Sequence, residues 1–111
     1  ISIPCKGKTH AVFSMLRDKD IGSCIAIIKN QIDTWYVAPL PVKRGASMEM
    51  LQDSFKEQQV DAVQFSASIE EAYSAAKKTV TIGDRIVIFG SFYTVARMKR
   101  FLFHAGLLAS L

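Results

Sequence analysis

The chain has few of the residues that build metal centres, disulfide frameworks and membrane spans. It contains two cysteines and two histidines, and His10 and His104 are too far apart to suggest a structural zinc. No uninterrupted apolar run reaches about 18 residues, the length that spans a bilayer. We therefore expect no metal site, no membrane segment and a cytoplasmic location with Cys5 and Cys24 as free thiols. A disulfide joining these cysteines is an alternative that the fold does not require.

The motifs of several enzyme classes are also missing. The sequence has no G-x-x-x-x-G-K-[ST] loop and no G-x-G-x-x-G after an apolar run, which argues against an autonomous nucleotide-binding domain. The pair Gly90-Ser91 is not a G-x-S-x-G elbow, and no two carboxylates are placed for glycoside hydrolysis. The chain is therefore expected to contribute to a site whose main catalytic machinery lies elsewhere.

Charge and size restrict the class of protein further. Fourteen basic and ten acidic residues give a net charge of +4, but the basic residues are scattered and form no stripe with interleaved aromatics. We therefore expect no nucleic-acid partner. Half of the 111 residues are apolar, which suits a single domain over 1–111. Because the chain begins with Ile1 and not with methionine, we expect it to be part of a longer protein.

Hydrophobic periodicity predicts four strands that alternate with four helices. Strands are predicted at 10–15, 34–38, within 60–65 and at 85–89, with a further edge strand at 1–3. Helices are predicted at 20–32, 47–58, 68–79 and 91–104, the first three capped by Asp20, Ser47 and Ser68. The alternation predicts an α/β fold: a Rossmann-like three-layer sandwich with a mostly parallel sheet and helices on both faces. The apolar run 86–89 predicts a buried strand.

Three loops with unusual polar content follow predicted strands, at 14–20, 43–46 and 90–94. In a parallel sheet such loops gather at the carboxyl edge, where open α/β sheets bind ligands. Together they offer cations, the Ser91 hydroxyl and helix N-terminal amides, a combination that favours a carboxylate, an amino acid or a phosphate. Each loop has a simpler interpretation: residues 18–20 as a solvated loop and cap, Arg44 as a surface residue, and Ser91 as a helix cap.

Four segments carry a resemblance to a known family, in order and at matching spacing: AVFSMLRDKDI (11–21), WYVAPL (35–40), RGA (44–46) and GSFYTVA (90–96). They resemble the C-terminal domain of the bacterial bifunctional folylpolyglutamate synthase/dihydrofolate synthases, relatives of the Mur ligases. The resemblance covers about 10–104. It implies a C-terminal, glutamate-ligase domain of a multidomain enzyme whose N-terminal ATPase domain lies outside this chain.

The same resemblance implies a reaction and roles for five residues. The full enzyme would use ATP and Mg²⁺ to convert dihydropteroate or a folate to an acyl phosphate, which the amino group of glutamate attacks. Lys19 would be catalytic through the phosphate charge, Arg44 and Ser91 would bind glutamate, and Asp18 and Asp20 would lie in a nucleotide-facing loop. The chain alone would bind no cofactor or metal and would be an inactive monomer. The apolar tail 105–111 receives no role.

Two other functions remain open at the level of sequence. A Mur-type ligase of cell-wall synthesis would have the same architecture, but it would carry an Asp-Asn-Pro-Arg-like stretch where this chain has Pro41-Val42-Lys43-Arg44. A non-enzymatic Rossmann-like binding module would explain the same periodicity without any ligase chemistry.

Overall fold

The computed structural model describes residues 6–90, 94 and 98–100. The strands are β1 (Thr9–Ser14), β2 (Thr34–Val37), β3 (Val63–Phe65) and β4 (Arg85–Gly90), and the helices are α1 (Ile21–Ile28), α2 (Met48–Glu57) and α3 (Ile69–Thr79). Residues 94 and 98–100 are also helical, whereas the rest of the predicted helix 91–104, the predicted strand 1–3 and the tail 105–111 lie outside the described residues. No helix in the described ranges is both long and apolar enough to cross a bilayer.

Each of the three helices begins at the predicted cap. The side chains of Asp20, Ser47 and Ser68 accept hydrogen bonds from backbone N–H groups three residues further on, which satisfies donors that a helix leaves unpaired. The helical conformation ends at Gln31, close to the predicted end of the first helix at residue 32, but its last turn is not α-helical. The α-helix stops at Ile28 and tightens into a 3-10 turn, Lys29–Gln31, a common ending for an α-helix.

The sheet has four parallel strands in the order β3-β2-β1-β4. The chain moves outward from β1 through β2 to β3, and it then returns to place β4 on the other side of β1. The direction of winding therefore reverses between β1 and β4. In open α/β sheets, ligands usually bind at the carboxyl edge beside such a reversal.

Helices cover both faces of the sheet, so the predicted three-layer architecture is confirmed. On one face Phe13 and Trp35 of the central strands pack against Phe55 of α2, with ring centroids 4.9 to 5.8 Å apart and rings nearly perpendicular. On the other face Val12 and Tyr36 pack against buried residues of α3. Successive residues of β1 therefore pack in different cores, because side chains along a strand point alternately to the two faces of the sheet.

The predicted burial of the last strand is only partly correct. All six residues of β4 are half-buried, whereas all six residues of β1 are buried. Within the described residues β4 pairs with β1 on one side only, so its second edge has no partner strand there. A run of apolar residues therefore marked a strand correctly, but it did not distinguish an edge position from a central one.

Asp84 joins the beginning of β1 to the turn before β4, at the amino edge of the sheet. Its carboxylate accepts hydrogen bonds from the Lys8 backbone N–H at 2.8 Å and the Thr81 backbone N–H at 3.1 Å, and it pairs with His10 Nε2 at 3.0 Å. These contacts, led by the Lys8 N–H, lower the pKa of Asp84 to about 2. His10 is thus bound to a carboxylate that lies 74 residues away in the chain, which fixes β4 beside β1.

Candidate functional site

Two of the three polar loops, 14–20 and 43–46, are joined by backbone hydrogen bonds at the carboxyl edge of the sheet. We call the surface formed by these two loops the wall. Residues 15–17, after β1, run antiparallel to residues 44–46, which precede α2. One bridge and two backbone hydrogen bonds join them: Leu16 pairs with Gly45, the Arg17 N–H donates to the Arg44 carbonyl at 2.7 Å, and the Ala46 N–H donates to the Met15 carbonyl at 3.0 Å. The prediction that these loops lie together is confirmed.

The end of β4 approaches the end of β1 more closely than a side chain would allow. Gly90 pairs with Ser14 in the parallel register and has a φ of 128°, a conformation that favours glycine. A Cβ at this position would lie 2.9 Å from the Ser14 carbonyl carbon and still closer to its oxygen. The same oxygen accepts a hydrogen bond from the Thr94 hydroxyl at 3.0 Å, so segments on both sides of residues 91–93 are held against β1. Ser91 itself lies outside the described residues.

Asp18 and Arg44 form an ion pair across the two joined loops. A guanidinium N–H of Arg44 donates to the Asp18 carboxylate, and the two side chains are 62% and 47% exposed for Arg44 and Asp18, respectively. The hydrogen bond from Arg44 lowers the pKa of Asp18, because a cation that donates to a carboxylate favours its ionised form. Both side chains lie on the solvent side of the wall, where a ligand could reach them.

The remaining two predicted residues have different surroundings. Lys19 is exposed, and within residues 6–90, 94 and 98–100 its ammonium has no hydrogen-bond or ion-pair partner. Asp20 accepts from the Ser23 hydroxyl at 2.7 Å and from the Ser23 N–H at 3.1 Å, and these two bonds lower the pKa of Asp20. The carboxylate of Asp20 is therefore engaged as the cap of α1, and Lys19 is the available charge beside it.

The wall as a whole carries an excess of positive charge. Arg17, Lys19, Lys43 and Arg44 are all exposed, and they outnumber the two carboxylates of residues 18 and 20. Exposed guanidinium and ammonium groups suit a carboxylate or phosphate ligand. In the part of the chain that the structure describes, no three acidic, histidine or cysteine side chains lie close enough to hold a metal ion.

A family model described as "Mur ligase, glutamate ligase domain" matches residues 2–92. The chain belongs to this family. The match includes β1 to β4 and the joined loops, so it contains most of the described candidate site.

Two similar proteins are dihydrofolate synthase/folylpolyglutamate synthases of Buchnera aphidicola and Escherichia coli. The first is 36% identical over 94 residues and the second 37% identical over 97, which covers 85% and 87% of this chain. The chain spans 22% of the length of each, or about a fifth of either protein.

Solved structures give the same result for the fold. The Escherichia coli FolC structure in complex with DHPP and ADP has a TM-score of 0.83 with 32% identity, and the match covers 95% of this chain and 24% of that one. A bifunctional folylpolyglutamate synthase/dihydrofolate synthase with Mn, AMPPNP and L-glutamate bound has a TM-score of 0.76 with 34% identity, covering 89% and 23%. The resemblance stated from four sequence segments is therefore confirmed, and these relatives favour the folate enzymes over the cell-wall and non-enzymatic alternatives.

Sequence reasoning missed one contact within the candidate site. It placed Asp18 in a nucleotide-facing loop and Arg44 in a substrate-binding loop, but it did not pair them. No local pattern links the two residues, which are 26 positions apart. The usable signal was topological, since the loops after two adjacent parallel strands begin side by side.

Proposed function

We propose that this chain is the C-terminal, glutamate-binding domain of a longer ATP-dependent ligase that adds L-glutamate to dihydropteroate or folates. The observation that carries the proposal is the wall formed by the loops 14–20 and 43–46, which presents exposed Arg44 and Lys19 at the carboxyl edge of the sheet. Membership of the glutamate ligase domain family supports it, as does the bound L-glutamate named for one structural relative.

The residues of the wall would act by binding and by charge compensation. The Arg44 guanidinium has several N–H donors, and only one of its nitrogens is engaged by Asp18, so another edge is available for a glutamate carboxylate. The Lys19 ammonium would offset negative charge on a phosphate near the same edge. Ser91 would donate a hydrogen bond to glutamate or cap the helix that follows it.

The proposal for the full enzyme also includes a nucleotide and a metal ion. ATP with Mg²⁺ would supply the phosphoryl group that turns a substrate carboxylate into an acyl phosphate. We propose that both are held chiefly by a separate N-terminal ATPase domain, over which this domain closes with residues 19 and 20 toward the nucleotide. The chain alone would then be an inactive monomer, and the full enzyme would act in the cytoplasm.

Kinetics of the full-length ligase test the role of Arg44. Arg44→Ala should raise the KM for glutamate about ten- to a hundredfold, because it removes charge-assisted hydrogen bonds to a carboxylate worth roughly 1.5–3 kcal/mol. The KM for ATP should change far less. Lys43→Ala is the matched control, since it removes the same charge from the adjacent exposed position without removing the proposed contact.

The comparison of the two variants decides the outcome. Equal increases in the KM values for glutamate and ATP would contradict the assigned role of Arg44, because they would indicate a general loss of the closed state. An equal effect of Lys43→Ala and Arg44→Ala on glutamate would show that only net charge matters, and that Arg44 forms no specific contact.

A further inference from the structure

Asp18 is the polar partner of the Arg44 guanidinium within the described residues. The backbone of Arg44 is fixed by the hydrogen bond between its carbonyl and the Arg17 N–H, and by the neighbouring Leu16–Gly45 bridge. The side chain beyond the backbone has four rotatable bonds and is 62% exposed, so packing does little to restrain it. Its one described polar contact is with the Asp18 carboxylate.

These backbone hydrogen bonds also fix the position of the Asp18 backbone. Asp18 directly follows Arg17, whose N–H is bonded to the Arg44 carbonyl at 2.7 Å. The two side chains therefore leave the same wall from adjacent positions and reach each other without any change of the backbone. Since an arginine side chain loses rotamer freedom when it binds a ligand, a contact that already restricts the guanidinium reduces the entropy lost on binding.

We propose that Asp18 is a positioning residue, which orients the guanidinium of Arg44 so that its unused N–H groups face the carboxylate of the incoming amino acid. The proposal rests on the proposed function of Arg44 and goes beyond it, since it assigns Asp18 to the amino-acid site. Asp18 accepts through one carboxylate oxygen from one guanidinium nitrogen, which leaves an edge of the guanidinium for the ligand.

The test is steady-state kinetics of the full-length ligase with Asp18→Asn. This variant keeps the shape of the side chain but removes its charge. The KM for glutamate should rise about two- to fivefold, the range that an exposed ion pair supports, with kcat and the KM for ATP unchanged. Asp53→Asn removes the same charge from an exposed position in α2 and should leave all three constants unchanged.

A double variant separates this role from a direct contact between Asp18 and the nucleotide. In an Arg44→Ala background, Asp18→Asn should add no further increase to the KM for glutamate, because Asp18 would act only through Arg44. A further increase in that background, a higher KM for ATP, or a lower KM for glutamate in the single variant would each overturn the proposal. If Arg44→Ala itself leaves glutamate binding intact, the proposed function fails. If Arg44→Ala weakens binding and Asp18→Asn does not, only the positioning role fails.

Discussion

Replacement of Gly90 by alanine should destabilise the chain strongly, because two effects act at one position. The φ of 128° lies in a region that side chains rarely adopt, which costs about 1–3 kcal/mol. The new Cβ would also collide with the carbonyl group of Ser14, and relief of such an overlap costs about 1–3 kcal/mol more. Alanine also lowers the conformational entropy of the unfolded chain, and this effect offsets about 0.4–1 kcal/mol of the destabilisation. The expected net loss is therefore roughly 1–5.5 kcal/mol, a large part of the total for a domain of this size.

Urea denaturation followed by tryptophan fluorescence measures this loss. Trp35 is the only tryptophan in the chain and is 1% exposed, so its emission reports the unfolding of the core. With a denaturant slope of about 2 kcal/mol per molar, the midpoint of Gly90→Ala should fall by about 0.5–3 M. The collision would push the end of β4 at Gly90 away from the end of β1 at Ser14.

Two other glycines act as controls that separate backbone strain from collision. Gly83 has a φ of 97°, but a Cβ there would meet no atom closer than 3.7 Å, so Gly83→Ala should show the strain alone. Gly22 lies within α1, and the nearest atom to its Cβ would be the flexible end of Gln58 at 3.3 Å. Gly22→Ala should therefore be neutral or stabilising. A Gly90→Ala midpoint equal to that of the unmodified chain, or higher than that of Gly83→Ala, would refute the reasoning.

Two more predictions concern acid stability and ligand binding by the chain alone. The pKa of Asp84 is lowered to about 2 in the folded state, so its contribution to stability is present above its unfolded pKa of about 3.9 and is lost as the pH falls toward 2. Asp84→Asn should therefore have a lower urea midpoint than the unmodified chain at pH 6, and the difference should shrink at pH 3; a constant difference would contradict the linkage. The isolated chain should bind glutamate weakly or undetectably in an NMR amide-shift titration, since half of the proposed pocket is outside it, and tight saturable binding would contradict that division of the site.

The sequence predicted features that depend on near neighbours. Ser47 and Ser68 were identified as caps because a cap is decided within three residues, and both caps are present. The capping box at Ser68 is altered in detail, since the Glu71 carboxylate accepts from the Ala67 N–H at 3.3 Å. The expected partner was the N–H of Ser68. The alternation of strands and helices likewise predicted the three layers, because each element carries its own apolar period.

Features that depend on distant segments were not predicted. The strand order was open because hydrophobic periodicity shows which face of a strand is buried but does not identify its neighbours. Nothing in the sequence linked His10 to Asp84, although the two form one contact. In the site, the loops were correctly gathered at one edge by the parallel topology, but the pairing of Asp18 with Arg44 needed the register of residues 15–17 against 44–46.

The exposure of the Asp18–Arg44 pair explains why this wall should need another domain to bind tightly. In water a guanidinium that is 62% exposed interacts weakly with any carboxylate, because the solvent screens the charges and competes for the hydrogen bonds. A second surface that closes over the wall would exclude water from Arg44 and Lys19 and would strengthen both interactions with the ligand. The same closure would raise the cost of any unpaired charge, and it would therefore favour the state in which an anion is bound. Under the proposed function, the open position of Arg44 would prevent tight binding before closure, and the affinity for the amino acid would depend on the approach of the second domain.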